Sequence, residues 1–432
     1  MFRHDLLHEI KKERQQVSFV YPYYGRLSIA EIPPTIQHLF GIATERPVLP
    51  FAADWNHGYQ KILFLFVDGF GYRHFTDYGG RFSFFKRLAR EGTVYPLTSV
   101  FPSTTPAALT ALHTSLTPQE HGLPEWTVYF DEFERIIEPF PFRPHLSDGR
   151  ETLIREGGTP EMLFDGITQY EQLKKHGVAS YVYTPETYAD SAYSRASQKG
   201  STIVPFSDVA DLFTKLVDNL TQVSGPAYYF VPWYAVDQSE HIFGPRSEEH
   251  LGALAELSDN LERLLLDNLS EEAVKNILFM LSSDHGQTTV HNEDIIYLNS
   301  YIELEESYQW TKDSRSILPT GAPHDVFLHI YKPKIAHTLN FLRTMLEGKA
   351  EVLTTEEALS RGLFGFNEPS ERFKRRIGDV LILPYEGYHV WYKHMPGLEY
   401  GGRGIHGGLS QEEMLVPLAI APLSSLIQRS KS

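Results

Sequence analysis

The sequence predicts an α/β fold, with a mostly parallel central sheet carrying helices on both faces. Three observations lead there. Short runs rich in Val, Ile, Leu, Phe and Tyr recur at 61–67, 179–184, 227–234, 276–283, 325–331, 379–383 and 414–421. Helical apolar patterns occur at 5–14, 106–116, 247–268, 335–347 and 355–361. The strand runs are separated by helical patterns, which implies a mostly parallel sheet covered on both faces.

Taken in order, the elements also place chemistry. The 61–67 run ends at Asp68-Gly69, and a helical pattern opens at Thr105-Pro106. Asp237 follows the 227–234 run, Asp284 follows 276–283, and 414–421 returns as a core strand after His406. Open parallel sheets bind ligands beyond the carboxyl ends of their strands, where these residues fall. Segment 286–405 is less regular. We expect one catalytic domain over 1–432, with a cap or rim inserted at about 300–375.

Bulk properties narrow the function classes. Net charge is -16, from 55 acidic and 39 basic residues. That disfavours long nucleic acid, yet a small phosphorylated substrate remains compatible because bound cations can invert the local field. The apolar stretch at 62–67 is far too short to span a bilayer. The N-terminal segment Met1–Arg14 is charged and lacks the pattern of a signal peptide, so a cytoplasmic location is expected. There is no cysteine, which removes disulfides, thiolate metal sites and cysteine nucleophiles.

Five short groups could do chemistry, and each has an ordinary reading when taken alone. Asp68-Gly69 is a common turn pair. Thr105 before Pro106 reads as a helix N-cap, although the same geometry aims helix N–H groups at a phosphate. Asp237 and His241, four apart, are either co-ligands or a helical ion pair, while Glu240 between them does not share their face. Asp284-His285 precedes Gly286, and His406 sits among glycines that permit close backbone approach. Together they supply three Asp, three His and a Thr hydroxyl. That set suits two cations with nitrogen and oxygen donors, Zn2+ above all, with Mn2+ also compatible.

The order of these groups resembles the alkaline phosphatase superfamily, and within it the type I phosphodiesterase/nucleotide pyrophosphatase family. The resemblance rests on Phe101-Pro-Ser-Thr-Thr105, Pro118, His121-Gly122, Asp68, Asp237-x-x-x-His241, Asp284-His285-Gly286 and His406-Gly407. It implies an alkaline phosphatase-like fold. It implies one metal held by Asp237, His241 and His406, and a second held by Asp68, Asp284, His285 and Thr105. It further implies a hydrolase that cleaves phosphodiester or pyrophosphate bonds through Thr105 and a phosphothreonine intermediate. The substrate would be small and phosphorylated, in the manner of a nucleotide. The cofactor-independent phosphoglycerate mutases share the final motif but generally use Ser where Thr105 stands.

One position departs from the resemblance. The pyrophosphatase branch typically carries an Asn where this sequence has Trp126. Trp126 either lines a base-stacking pocket or packs as a core aromatic, and Arg403 and His324 are the candidates to replace the missing phosphate contact. Alternatives are a phosphomonoesterase or phosphonate hydrolase on the same metal core, or a non-catalytic scaffold stabilised by metal.

Overall fold

The computed structural model describes residues 1–427. Its centre is a seven-stranded sheet. In chain order the strands are β1 (Lys61–Val67), β2 (Thr93–Thr98), β3 (Ala179–Pro185), β4 (Thr202–Phe206), β5 (Ala227–Trp233), β6 (Ile277–Ser282) and β7 (Leu415–Pro422). Their spatial order is β2-β7-β6-β1-β5-β3-β4. The neighbours from β6 to β4 pair in parallel, while β7 runs antiparallel to both β6 and β2.

The register explains why distant motifs meet. Val67 at the end of β1 pairs with Trp233 at the end of β5, and Phe66 pairs with Ser282 at the end of β6. Asp68, Asp237 and Asp284 therefore leave the sheet at one edge. Antiparallel β7 begins at that edge, where Leu415 pairs with Thr98 at the end of β2. The segments carrying His406 and Thr105 are delivered to the same place.

All residues of β5 and β6 are buried, as is β1 beyond Lys61. This is the double-faced burial that continuous apolar runs require. The expected strands at 61–67, 179–184, 227–234, 276–283 and 414–421 all belong to this sheet. Edge strands β2 and β4 were not expected. Each carries a proline, Pro96 or Pro205, which an edge position tolerates.

Helices α1 (Tyr72–Tyr78), α2 (Thr105–Thr114), α3 (Ala235–Phe243) and α4 (Glu248–Asn260) frame the ligand edge and the adjoining face. Every residue of α2 is buried, so its first residue is fixed by packing all round. The helix expected over 247–268 is α only as far as Asn260. It continues as a wider π turn at Leu261–Leu265 and a tight 3-10 turn at Leu266–Asn268.

The expected strands 325–331 and 379–383 lie in a second, antiparallel sheet. It is built from Thr320–Ala322, Asp325–Leu328, Val380–Pro384 and Ala350–Thr354. The helix Ile335–Met345 contributes Leu339 and Leu342 to a separate apolar cluster with this sheet. The expected insertion at 300–375 overlaps this unit, whose strand Val380–Pro384 lies past that boundary. Among the described residues no helix is long and apolar enough to cross a membrane.

Candidate active site

Asp68 extends the β1 ladder, its N–H donating to the Trp233 carbonyl at 2.9 Å. The chain then turns at Gly69, whose φ of +73° is left-handed. The Gly69 N–H donates to Asp284 Oδ1 at 3.1 Å, and the Asp237 N–H donates to the Asp68 carbonyl at 3.2 Å. Three strand ends are thus laced together by main-chain and carboxylate hydrogen bonds.

Thr105 proves to be the first residue of α2 rather than its N-cap. Thr104 holds the cap position in extended backbone, and its carbonyl accepts the first helical bond from the Ala108 N–H at 2.9 Å. The Thr104 side chain makes no capping bond, and the Thr105 hydroxyl oxygen stands 3.3 Å from His285 Nε2. The correction matters because the hydroxyl meets His285 at the helix N-terminus instead of closing the helix.

The three histidines share one arrangement. His241 Nδ1 lies 3.1 Å from the Gly404 carbonyl, His285 Nδ1 3.2 Å from that of Gly286, and His406 Nδ1 3.0 Å from that of Ser103. A backbone carbonyl can only accept, so each Nδ1 carries the hydrogen and each Nε2 presents its lone pair inward. His241 Nε2 is 3.4 Å from Asp237 Oδ2, and His406 Nε2 is 3.9 Å from Asp237 Oδ1. His285 Nε2 is 3.2 Å from Asp284 Oδ2 and 3.8 Å from Asp68 Oδ1. The His285 and His406 rings stack with centroids 3.6 Å apart.

All seven expected residues therefore converge. Two overlapping sets, Asp68-Asp284-His285 and Asp237-His285-His406, have ligand atoms within 4.8 Å of one another. Asp68 Oδ1 and Asp284 Oδ2 are buried without a hydrogen-bond partner. Burial, with Asp284 and Asp237 nearby, pushes the Asp68 carboxyl well above the ordinary range. Burial, reinforced by His285 and His241, holds His406 well below it, in the neutral form that binds metals. His285 is pulled the other way: burial opposes its charge, but Asp284 outweighs burial and raises it. Orphaned carboxylate oxygens facing inward imidazole lone pairs fit divalent cations, and the carbonyls on each Nδ1 fix the rings in that orientation.

Beside this cluster opens a cavity of about 610 Å3 that reaches both Asp68 and Thr105. Trp126 lines it rather than packing in the core: it is 37% exposed, with its ring 4.8 Å from that of Phe140. Phe140 in turn lies 4.2 Å from Tyr193. Arg143 and Arg150 stand in the same wall, and Arg150 lies over the Tyr188 ring at 4.5 Å.

The other two expected substrate contacts lie elsewhere. His324 is buried, with Nδ1 on Glu413 and Nε2 on His389 Nδ1, both at 2.7 Å, so its ring has no free nitrogen. Arg403 is exposed and lines a different cavity with Phe243 and Arg246. His121 is structural: its Nε2 meets the Ala107 carbonyl at 3.2 Å, and burial holds its pKa down to about 3. Arg143, Arg150 and the Phe140–Tyr193 pair were not legible in the sequence: they come from a short hairpin, the turns beside it and a six-residue helix. Gln287, whose amide donates to the Asp237 carbonyl at 3.1 Å, was missed as well. Its place directly after Asp284-His285-Gly286 was the available signal.

A family model described as type I phosphodiesterase/nucleotide pyrophosphatase matches residues 62–409. Human ectonucleotide pyrophosphatase/phosphodiesterase family member 1 is 24% identical over 245 residues, covering 56% of this chain and 25% of that protein. The matched region is thus about a quarter of that relative's length. Among solved structures, murine ectonucleotide pyrophosphatase/phosphodiesterase 5, as an inactive variant in complex with AMP, superposes with a TM-score of 0.63 at 18% identity, covering 84% of this chain and 88% of that one. The human counterpart gives a TM-score of 0.62 at 16% identity over the same shares. These likenesses are of fold.

Proposed function

The chain belongs to the type I phosphodiesterase/nucleotide pyrophosphatase family, a family of binuclear metal hydrolases, and from that premise we propose that it cleaves phosphodiester or pyrophosphate bonds with Thr105 as nucleophile. The observation that carries this reading is the Thr105 hydroxyl, 3.3 Å from His285 Nε2 at the N-terminus of a fully buried helix.

Asp237, His241 and His406 would hold one divalent cation. Asp68, Asp284, His285 and the Thr105 oxygen would hold the other, and zinc suits the donor set. Bound there, the cations acidify a hydroxyl and offset phosphoryl charge. The protein's own share is positioning. Packing on all sides of α2 fixes the Thr105 oxygen, and the helix N-terminus turns its N–H groups toward the phosphoryl oxygens. The Thr105 oxygen bonds to phosphorus as the bond to the leaving oxygen breaks, giving a phosphothreonine that water then hydrolyses.

The aromatic wall of the cavity supports a substrate with a planar group, and the guanidinium groups of Arg143 and Arg150 suit an anionic one. AMP, held by the murine relative, fits both descriptions, so we place a nucleotide in this cavity. The test is a substrate panel on the metal-loaded chain. We expect faster turnover of bis-p-nitrophenyl phosphate than of p-nitrophenyl phosphate, and loss of both on chelation. Preference for the monoester would move the assignment to a phosphomonoesterase on the same core. No turnover of any ester by metal-loaded protein would leave a scaffold.

A further inference from the structure

Along the same turn of α3 as Asp237 and His241, three further side chains converge. They are His74 from α1, Glu240 from α3 and His250 from α4. All are buried, Glu240 and His250 completely. His74 Nε2 lies 3.1 Å and His250 Nδ1 3.3 Å from the same carboxylate oxygen, Glu240 Oε1. The two imidazole centroids are 4.6 Å apart and the rings are tilted by 54°.

These short contacts are not hydrogen bonds. Both Glu240 oxygens and both His250 nitrogens are buried without a hydrogen-bond partner. Interior polar groups are rarely left so, because each has given up water for nothing. The spacing shows what would satisfy them. Around a tetrahedral ion with bonds of roughly 2.0–2.1 Å, neighbouring ligand atoms stand about 3.3–3.4 Å apart. The two measured edges come close to that, and the three donor atoms all lie within 4.8 Å of one another. Two imidazoles and one carboxylate form a zinc-type donor set. His74 also lines a surface cavity of about 350 Å3 between Gly71, Arg246 and Glu412, which offers a path for the ion and for water in a fourth position.

We propose that His74, Glu240 and His250 form a third divalent-metal site, of zinc type, that is separate from the cluster at Thr105 and clamps α1, α3 and α4 together. The site has a structural purpose. Helix α3 also carries Asp237 and His241, and α1 begins just after Asp68-Gly69. An ion here ties both ligand-bearing segments to α4. Glu240, passed over in the sequence because it does not share the face of its neighbours, is the residue that joins the two sites through one helix.

The test counts metal on the full chain. Purified protein is loaded with Co2+, desalted and analysed for cobalt per chain and for the visible absorption of tetrahedral Co2+. Wild type should hold three equivalents. His250→Gln and Glu240→Gln should each hold one fewer and melt at a lower temperature. His74→Asn, at the cavity edge, should give the same loss if the more buried variants fail to fold. The double variant Asp237→Asn/Asp284→Asn should keep one tetrahedral Co2+, which adding His250→Gln removes. Wild-type stoichiometry in folded His250→Gln or His74→Asn would overturn the site, as would a folded double variant with no tetrahedral Co2+. The two proposals fail separately. A single ion lost with His250→Gln but kept in the double variant would uphold this site and sink the two-metal reading. Two ions lost in the double variant and untouched by His250→Gln would do the reverse.

Discussion

Gly69 and Asp237 are in such close contact that a Cβ at Gly69 would lie 2.8 Å from the Asp237 Cα. The Asp237 N–H meanwhile donates to the carbonyl of Asp68. One glycine thus sets the spacing between a carboxylate at the end of β1 and another on α3. Gly69→Ala should push Asp237 outward. At φ of +73° the new residue also meets backbone strain. We expect a stability loss of roughly 1–3 kcal/mol and a fall in kcat larger than any change in KM. Urea unfolding and steady-state kinetics check both, and a variant with wild-type kcat would disprove the spacing argument.

Arg376 is buried beneath the loop that follows α2. Its Nη1 donates to the carbonyls of Gly122 at 2.8 Å and Leu163 at 2.6 Å, and its Nη2 to that of Met162 at 2.6 Å. The guanidinium also lies 3.6 Å over the Phe130 ring. Burial lowers its pKa to about 9, which leaves it charged at neutral pH. Arg376→Met removes every donor and strands the buried carbonyls, so the chain should lose about 3 kcal/mol or more. Equilibrium denaturation measures this, and a change below about 1 kcal/mol would contradict it.

Trp126 and Phe140 meet on the cavity wall, 4.8 Å between centroids. A planar substrate group held there gains stacking energy of about 0.5–1.5 kcal/mol. Trp126→Ala should therefore raise KM for a nucleotide substrate roughly 2–10-fold with kcat largely kept. Unchanged KM would place the planar group elsewhere.

Glu31 is buried, and burial lifts its pKa from 4.5 to about 7 although the N–H groups of Gly25 and Ser28 donate to its carboxylate. The folded state therefore keeps a proton that the unfolded chain releases between pH 4.5 and about 7. This contribution to stability is complete below pH 4.5 and is lost as pH rises through about 7. Its full size is roughly 3 kcal/mol. Unfolding free energies of wild type and Glu31→Gln, measured from pH 4 to 8, should differ by an amount that becomes less favourable to wild type as pH rises. A difference that is flat or grows with pH would contradict this.

The sequence exposes the Asp and His cluster because its members follow the ends of β1, β5 and β6 or precede β7, and buried strands are plain in an apolar pattern. What it hides depends on three dimensions. Thr104 and Thr105 differ as helix cap only in backbone angles, which no residue type fixes. His324 looked available until its two nitrogens met Glu413 and His389. The Phe140–Tyr193 wall joins a hairpin to a short helix far along the chain. His74 and His250 carry no local mark that they converge on Glu240.

The central claim is that Thr105 attacks phosphorus, and the most direct measurement compares Thr105→Ala with wild type for turnover of bis-p-nitrophenyl phosphate and for bound metal. The hydroxyl should be needed for the bond that forms, while the Asp and His ligands remain. A folded variant that retains metal and loses turnover by a factor on the order of 10³ or more is expected. Full activity in metal-loaded Thr105→Ala would contradict it.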